Sequence, residues 1–338
     1  MIKVLNKNLN FFKNRKILIT GGAGFIGCNL IQFFTANKIY VKATLFQKKS
    51  IINNDYVEYK KVDLTSKKDC VNVSKNIDII FMCAANSSGA EVIDKKPLTH
   101  LSPNIVMNNY MLEAAYENNV TKFVFISSNT VYPVTDYAVS ENDTNYTFFD
   151  KYHIVGWMKM FSEELCKIYS HKIKNPMDTL IIRPANIYGP YDKYTKKDSK
   201  VIAALVRRFA ERENPLSVWG DGNDIKDFIF IDDFINGLIK ATSMDNLYGP
   251  INISSGQRTT IKEIIETLKE LSKIDNLRIN FDKTKPTMIP VRLISNEYAK
   301  KKLNFVVNYS LHEGLRKTLD WYQNFYLSET PEEKNDYF

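Results

Sequence analysis

Lys16-Ile17-Leu18-Ile19-Thr20 runs directly into Gly21-Gly22-Ala23-Gly24-Phe25-Ile26-Gly27, and no other stretch of this 338-residue chain limits its fold so sharply. An apolar run of strand length enters a glycine cluster and leaves it as an apolar stretch of helical length, residues 25–34. G-x-G-x-x-G falls on Gly22, Gly24 and Gly27, and Gly21 opens the turn. One glycine permits the tight turn, another lets backbone approach a pyrophosphate, and the last allows close packing of helix on strand. The helix start then offers unpaired N–H groups and a partial positive charge to phosphate. Between strand and helix, the loop reads as a dinucleotide-binding turn; the alternative is a purely structural turn.

The following segments continue the pattern. Residues 77–83, 122–126 and 179–182 are apolar runs of strand length, strands are also expected at 40–46 and 57–62, and 105–117 and 156–169 have helical spacing. Continuous apolar strands alternating with helices describe a parallel sheet covered on both faces. Right-handed crossovers make it doubly wound, with a ligand crevice where the strand order reverses. From Gly189 onward the connections lengthen, with helices expected at 199–212 and 260–271. The expected fold is therefore α/β: a Rossmann-like doubly wound parallel sheet with a smaller, interleaved C-terminal α/β substrate lobe. The expected division is a dinucleotide-binding domain at 15–190 with returning segments at 228–256, a substrate lobe at 191–227 and 257–325, and a polar tail at 326–338.

Charge and cysteine usage narrow the partners. The net charge is +8, from 46 Lys+Arg against 38 Asp+Glu, but the lysine pairs are scattered along the chain. That distribution argues against a nucleic-acid stripe and suits a small anionic ligand. Cys28, Cys70, Cys83 and Cys166 form no C-x-x-C pair, and with four histidines no zinc site or disulfide framework is expected. No apolar stretch reaches the roughly 18 residues of a membrane span, and no signal-peptide pattern opens the chain. The expected location is the cytoplasm.

The end of the second strand bears on the cofactor. A ribose 2′-hydroxyl is usually met there by an acid. Here the chain reads Phe46-Gln47-Lys48-Lys49-Ser50. The cations suit a 2′-phosphate, favouring NADP over NAD, unless they are simply solvated. Asp63, ending the third strand, either takes the adenine amino group or caps a turn. The cofactor contacts expected are Gly21, Gly24, Phe25, Ile26, Gly27, Lys48, Asp63 and Leu64.

Several further segments carry a resemblance. They are Ser127-Ser128-Asn129-Thr130-Val131-Tyr132-Pro133, Arg183-Pro184-Ala185-Asn186-Ile187-Tyr188-Gly189-Pro190, Val218-Trp219-Gly220-Asp221-Gly222 and Asn252-Ile253-Ser254-Ser255-Gly256. With the glycine loop, they make residues 15–325 resemble the extended short-chain dehydrogenase/reductases, the NAD-dependent epimerase/dehydratase group that modifies nucleotide sugars. Within that group the likeness is to GDP-fucose synthase-type enzymes. The resemblance implies hydride transfer at the sugar C4, a GDP-sugar in preference to other nucleotide sugars, and a homodimer paired through two long helices. It also implies a catalytic Ser, Tyr and Lys, the last two spaced by four so that they share a helical face.

Ser128 matches the serine and Lys159 the lysine, which also holds the nicotinamide ribose. The tyrosine position holds Val155, which cannot transfer a proton. Tyr152 lies three residues earlier on roughly the same face, and its hydroxyl, or the His153 imidazole, is the candidate substitute. The group's epimerising Cys and His are matched by Thr130 and Lys200. On the sugar side, the resemblance assigns diphosphate or sugar contacts to Asn186, Arg208, Lys226 and Arg292. Lys226 stands in a usual arginine position and loses the two-point grip of a guanidinium. Trp219 either stacks near the base or fills the lobe. The expectation is an NAD(P)-dependent nucleotide-sugar epimerase, reductase or dehydratase with a non-standard acid/base. The alternative is a catalytically impaired protein that binds the same two ligands.

Overall fold

A computed structural model describes residues 6–86, 98–196, 199–245, 247, 249–285 and 288–328. The polar stretch at 329–338 lies outside the described residues. The central sheet has seven strands, in spatial order Ile251–Ile253, Asp178–Pro184, Lys122–Ile126, Ile79–Met82, Ile17–Ile19, Val41–Leu45 and Val57–Lys61. Every pairing is parallel. The order reverses beside Ile17–Ile19, so the glycine loop opens at the switch point, where ligands of such sheets bind.

Alternation along each strand sorts the core into two layers. Ile17, Ile19, Phe81, Val124 and Leu180 face one apolar cluster, which the Phe25–Ala36 and Ile231–Thr242 helices cover. Leu18, Ile80, Met82, Phe123 and Ile181 face the other, with Met111, Leu112 and Cys166 from the Leu98–Glu117 and His153–His171 helices. All four cysteines are free.

Three features differ from the sequence expectation. A helix at Asn6–Phe12 precedes the first strand and sets Phe12, fully buried, 5.2 Å from the Phe34 ring and 6.4 Å from Phe81. Both long helices start earlier than their apolar spacing suggests, at Leu98 and His153 rather than 105 and 156. Residue 326 does not begin a loose tail: Tyr326 is buried and stacks on Tyr322 at 4.7 Å.

Phe228–Phe230 pairs with Asn186–Tyr188, and the other remaining strands build a second lobe. Thr259–Thr260, Ile225–Lys226, Val291–Ile294 and Ala138–Val139 form one small sheet, and Ile279–Asp282 pairs with Leu216–Trp219. Ala138–Val139 belongs by sequence to the first lobe and pairs with Leu293 and Ile294. The turn after Ser128 is thereby stitched to the second lobe. Among the described residues no helix is long and apolar enough to cross a membrane.

Candidate active site

The glycine loop is shaped by contacts that only glycine permits. Gly21 has φ +69°, and a Cβ there would lie 2.8 Å from Ala84 Cα. A Cβ at Gly27 would overlap the Gly21 carbonyl oxygen. Gly24 is the N-cap of the Phe25–Ala36 helix and brings no side chain over its end. The first N–H groups of that helix have no intrahelical acceptor. The outcome is a flat, uncapped helix start at the switch point, with the geometry and charge that a dinucleotide pyrophosphate requires.

Other groups expected at the cofactor are placed as follows. Lys48 sits in the bend after Val41–Leu45, near enough to Cys28 to oppose the burial that pushes that thiol up to about 12. Asp63 Oδ1 accepts from the Thr65 N–H at 2.9 Å and the Thr65 hydroxyl at 2.7 Å, so its carboxylate caps a turn here. Leu64 is buried.

Ser128 follows the Lys122–Ile126 strand and caps the short helix Asn129–Val131. Its Oγ accepts from the Thr130 N–H at 3.1 Å and the Thr130 hydroxyl at 2.9 Å. Both bonds use the oxygen's lone pairs, leaving its own O–H to donate elsewhere. Against this turn packs the His153–His171 helix. Gly156 makes the approach possible: a Cβ there would lie 2.6 Å from the Phe148 ring and 2.9 Å from Thr130 O. Val155 and Lys159 are one turn apart on that helix. Lys159 Nζ donates to Ile126 O at 2.8 Å, which ties the lysine to the strand that delivers Ser128. Desolvation lowers Lys159 to about 8, against the opposing pull of Glu163. Tyr152 is the N-cap residue of the same helix. Burial raises its phenol, and the nearby Arg292 charge partly offsets that.

Beneath these groups lies a buried network that the sequence did not disclose. Arg183 and Glu163, 1 % and 0 % exposed at the side chain, pair at 2.6 Å. Arg183 Nε also donates to Glu163 Oε1 at 3.0 Å, and the Ser127 hydroxyl donates to the same oxygen. Arg183 Nη1 donates to Tyr132 OH, which donates to Asn252 Oδ1 at 2.6 Å. Ser127 and Tyr132 flank Ser128, so the network fixes both ends of the serine turn. Arg183 and Asn252 stood within matched motifs, but nothing in their spacing announced the pairing.

The second-lobe cations already have partners. Arg208 makes a two-point contact with Glu213, Nε at 2.9 Å and Nη2 at 2.5 Å. Lys226 donates to Ile289 O at 2.7 Å and pairs with Asp224 at 3.2 Å. Arg292 is its strand neighbour and is lowered to about 10, chiefly by desolvation. Arg292 donates to Pro133 O and Tyr132 O, at the end of the serine turn, while its buried Nε has no partner among the described residues. Arg292 and Lys226 therefore stand together beside Tyr152 and the serine turn, whereas Arg208 is held by Glu213. Asn186 Nδ2 donates to Asp227 O at 2.9 Å. Trp219 is 55 % exposed, so it does not fill the lobe. Lys200 lies 5.6 Å over the Phe25 ring, at the cofactor helix.

Known proteins share this architecture. GDP-mannose 3,5-epimerase of Arabidopsis thaliana is 28% identical over 91% of this chain and 82% of its own. GDP-L-fucose synthase of Escherichia coli is 26% identical over 74% of this chain and 81% of its own. Among solved structures, UDP-glucuronic acid 4-epimerase from Bacillus cereus, in complex with UDP-glucuronic acid and NAD, superposes with TM-score 0.79 at 27% identity. That match covers 90% of this chain and 98% of the other. With its switch-point glycine loop in place and residues 17–254 matched by the family's sequence profile, the chain belongs to the NAD dependent epimerase/dehydratase family.

Proposed function

We propose that this protein is a nucleotide-sugar epimerase, reductase or dehydratase that uses NADP in preference to NAD, takes a GDP-sugar, and acts at the sugar C4. The observation that carries the reading is the Lys159–Ile126 bond, which ties a desolvated ammonium to the strand that delivers Ser128. Relatives named for GDP-mannose and GDP-L-fucose support the GDP-sugar. Lys48 and the absence of an acid at residues 46–50 support the 2′-phosphate.

Gly21, Gly24, Phe25, Ile26 and Gly27 hold the cofactor pyrophosphate, and Lys159 holds the nicotinamide ribose. The nicotinamide supplies or accepts hydride when bound. Ser128 donates its hydroxyl proton to the sugar oxygen and fixes its position. Tyr152, a phenol that burial raises further above its ordinary value, is the proton donor that replaces the missing tyrosine at 155. Arg292, Lys226, Asn186 and Arg208 hold the diphosphate and sugar, and Trp219 offers a face to the base. Trp157, Phe161 and Ile168, each more than two-fifths exposed along one helix, provide the seam of a homodimer.

The test is turnover of a panel of GDP- and UDP-sugars by wild type, Tyr152→Phe and Val155→Tyr, read by mass and NMR. A keto or epimerised product that falls at least about tenfold in Tyr152→Phe is expected. Full activity of Tyr152→Phe removes the tyrosine from the mechanism. Val155 itself favours a second reading, in which the protein binds both ligands without turning them over. That reading predicts ligand-dependent thermal shifts with no product from any sugar, and a gain of activity in Val155→Tyr.

A further inference from the structure

A cationic groove lies on the edge of the central sheet opposite the glycine loop. The turns that enter the strands Ile17–Ile19, Val41–Leu45 and Ile79–Met82 meet there around an open groove of about 720 Å³. Lys13, Arg15, Lys16, Lys38, Lys42 and Lys75 line it, and no acid does. Five are exposed and Lys42 is half-buried. Arg15 donates to the Phe11 carbonyl and Lys75 to Asn72 Oδ1, both neutral acceptors. Two acids flank the groove and offset part of its charge. Asp78 accepts the Lys16 backbone N–H at 2.7 Å, and Glu58, paired with Lys60 at 2.5 Å, also faces across the strand pair Lys42, whose charge helps hold its carboxyl below the usual range. The floor is apolar, from Phe12, Ile17, Ile39 and Ile77, and Tyr40 stands at the groove 53 % exposed.

Six cations gathered around one groove, only partly offset by Glu58 and Asp78, make it attractive to a polyanion. The volume falls within the range of small-ligand sites, roughly 300–1,000 Å³. A cationic pocket with an aromatic face and an apolar floor matches linked phosphates attached to a base. The strands place this groove on the order of 10–17 Å from the glycine loop, so one ligand cannot occupy both. We propose that the groove is a second ligand site, specific for a nucleoside polyphosphate, with the phosphates on the six cations and the base on Tyr40.

Calorimetric titration of the full chain with ATP and with sodium tripolyphosphate at low salt tests this. Wild type is compared with Tyr40→Ala and with the combined variant Lys13→Ala, Lys38→Ala and Lys75→Ala, whose folding is checked by circular dichroism. The combined variant is expected to loosen both ligands at least about tenfold, and Tyr40→Ala to loosen ATP alone by a few-fold. Binding at the glycine loop is blind to the three lysines, so equal affinities in wild type and the combined variant overturn the proposal, as does an absence of binding. Unchanged ATP affinity in Tyr40→Ala overturns the nucleoside part. A DNA duplex that binds more tightly than ATP, with the same dependence on the lysines, reassigns the groove to nucleic acid.

Discussion

The two halves of the candidate site are prepared in opposite ways. On the cofactor side the working parts are absences: no Cβ at Gly21, Gly24 or Gly27, and no cap over the helix start. On the second-lobe side, where the proposed sugar contacts stand, they are cations already engaged, Arg208 by Glu213, Lys226 by Asp224 and Arg292 by two carbonyls. The first half can receive an anion without giving anything up, whereas the second must exchange partners. A ligand is therefore expected to act on the second lobe as a competitor for internal bonds and on the first as an addition.

The largest expected effect tests whether the first half is rigid because of what lies beneath it. Arg183→Met leaves Glu163 charged and unpaired in the core, and breaking such a pair costs about 3–5 kcal/mol. Urea denaturation reads the loss. A cost below about 1 kcal/mol means that the network does not hold the serine turn. Next, Gly27→Val drives a side chain into the Gly21 carbonyl and opens the cradle. A loss of roughly a hundredfold in cofactor affinity, equal to about 2.7 kcal/mol, is expected by calorimetry, with nucleotide-sugar binding retained. Equal loss of both ligands erases the distinction between the halves.

A smaller effect, with the opposite sign, is expected from the second lobe. Arg208 and Glu213 are partly exposed, and such pairs contribute on the order of 0–1 kcal/mol to stability. Glu213→Gln therefore leaves the fold intact and frees the guanidinium fork for phosphate. GDP-sugar affinity is expected to rise by up to about fivefold, whereas Arg208→Ala lowers it. An unchanged affinity in both variants takes Arg208 out of the site.

How far the sequence disclosed these two halves follows from how local their causes are. The glycine loop is legible because its glycines fall within seven consecutive residues, even though the demand on Gly21 comes from Ala84 across the sheet. The central strands are legible because burial on both faces leaves unbroken apolar runs. The N-terminal helix was missed because a seven-residue segment shows little periodicity, and only its tertiary contact, Phe12 on Phe34, gives it a place. The Leu98–Glu117 helix begins with polar residues around Pro103, which hid its first turns. Arg183 meets Tyr132 and Glu163 from 51 and 20 residues away, distances at which no spacing rule operates. The groove cations looked scattered because they lie in three separate turns, which parallel strands bring to one edge.

The last expected effect concerns Lys159, a charged group that the first half holds in a desolvated place. Its ammonium is lowered from 10.5 to about 8, mainly by burial. In the unfolded chain the lysine keeps its proton to about 10.4. Between those values the unfolded chain binds more protons than the folded one, so this group makes stability rise with pH. Below about 8 both states are protonated and the full penalty of holding the ammonium out of water applies. Lys159→Met removes that penalty. Its stability advantage over wild type is expected to be constant below about pH 8 and to shrink as pH climbs toward 10. Urea midpoints of the two proteins at matched pH give the difference directly, free of the other titrating groups. A difference that stays flat across that window means that the folded lysine keeps its proton, and the cofactor half is then as charged as the sugar half.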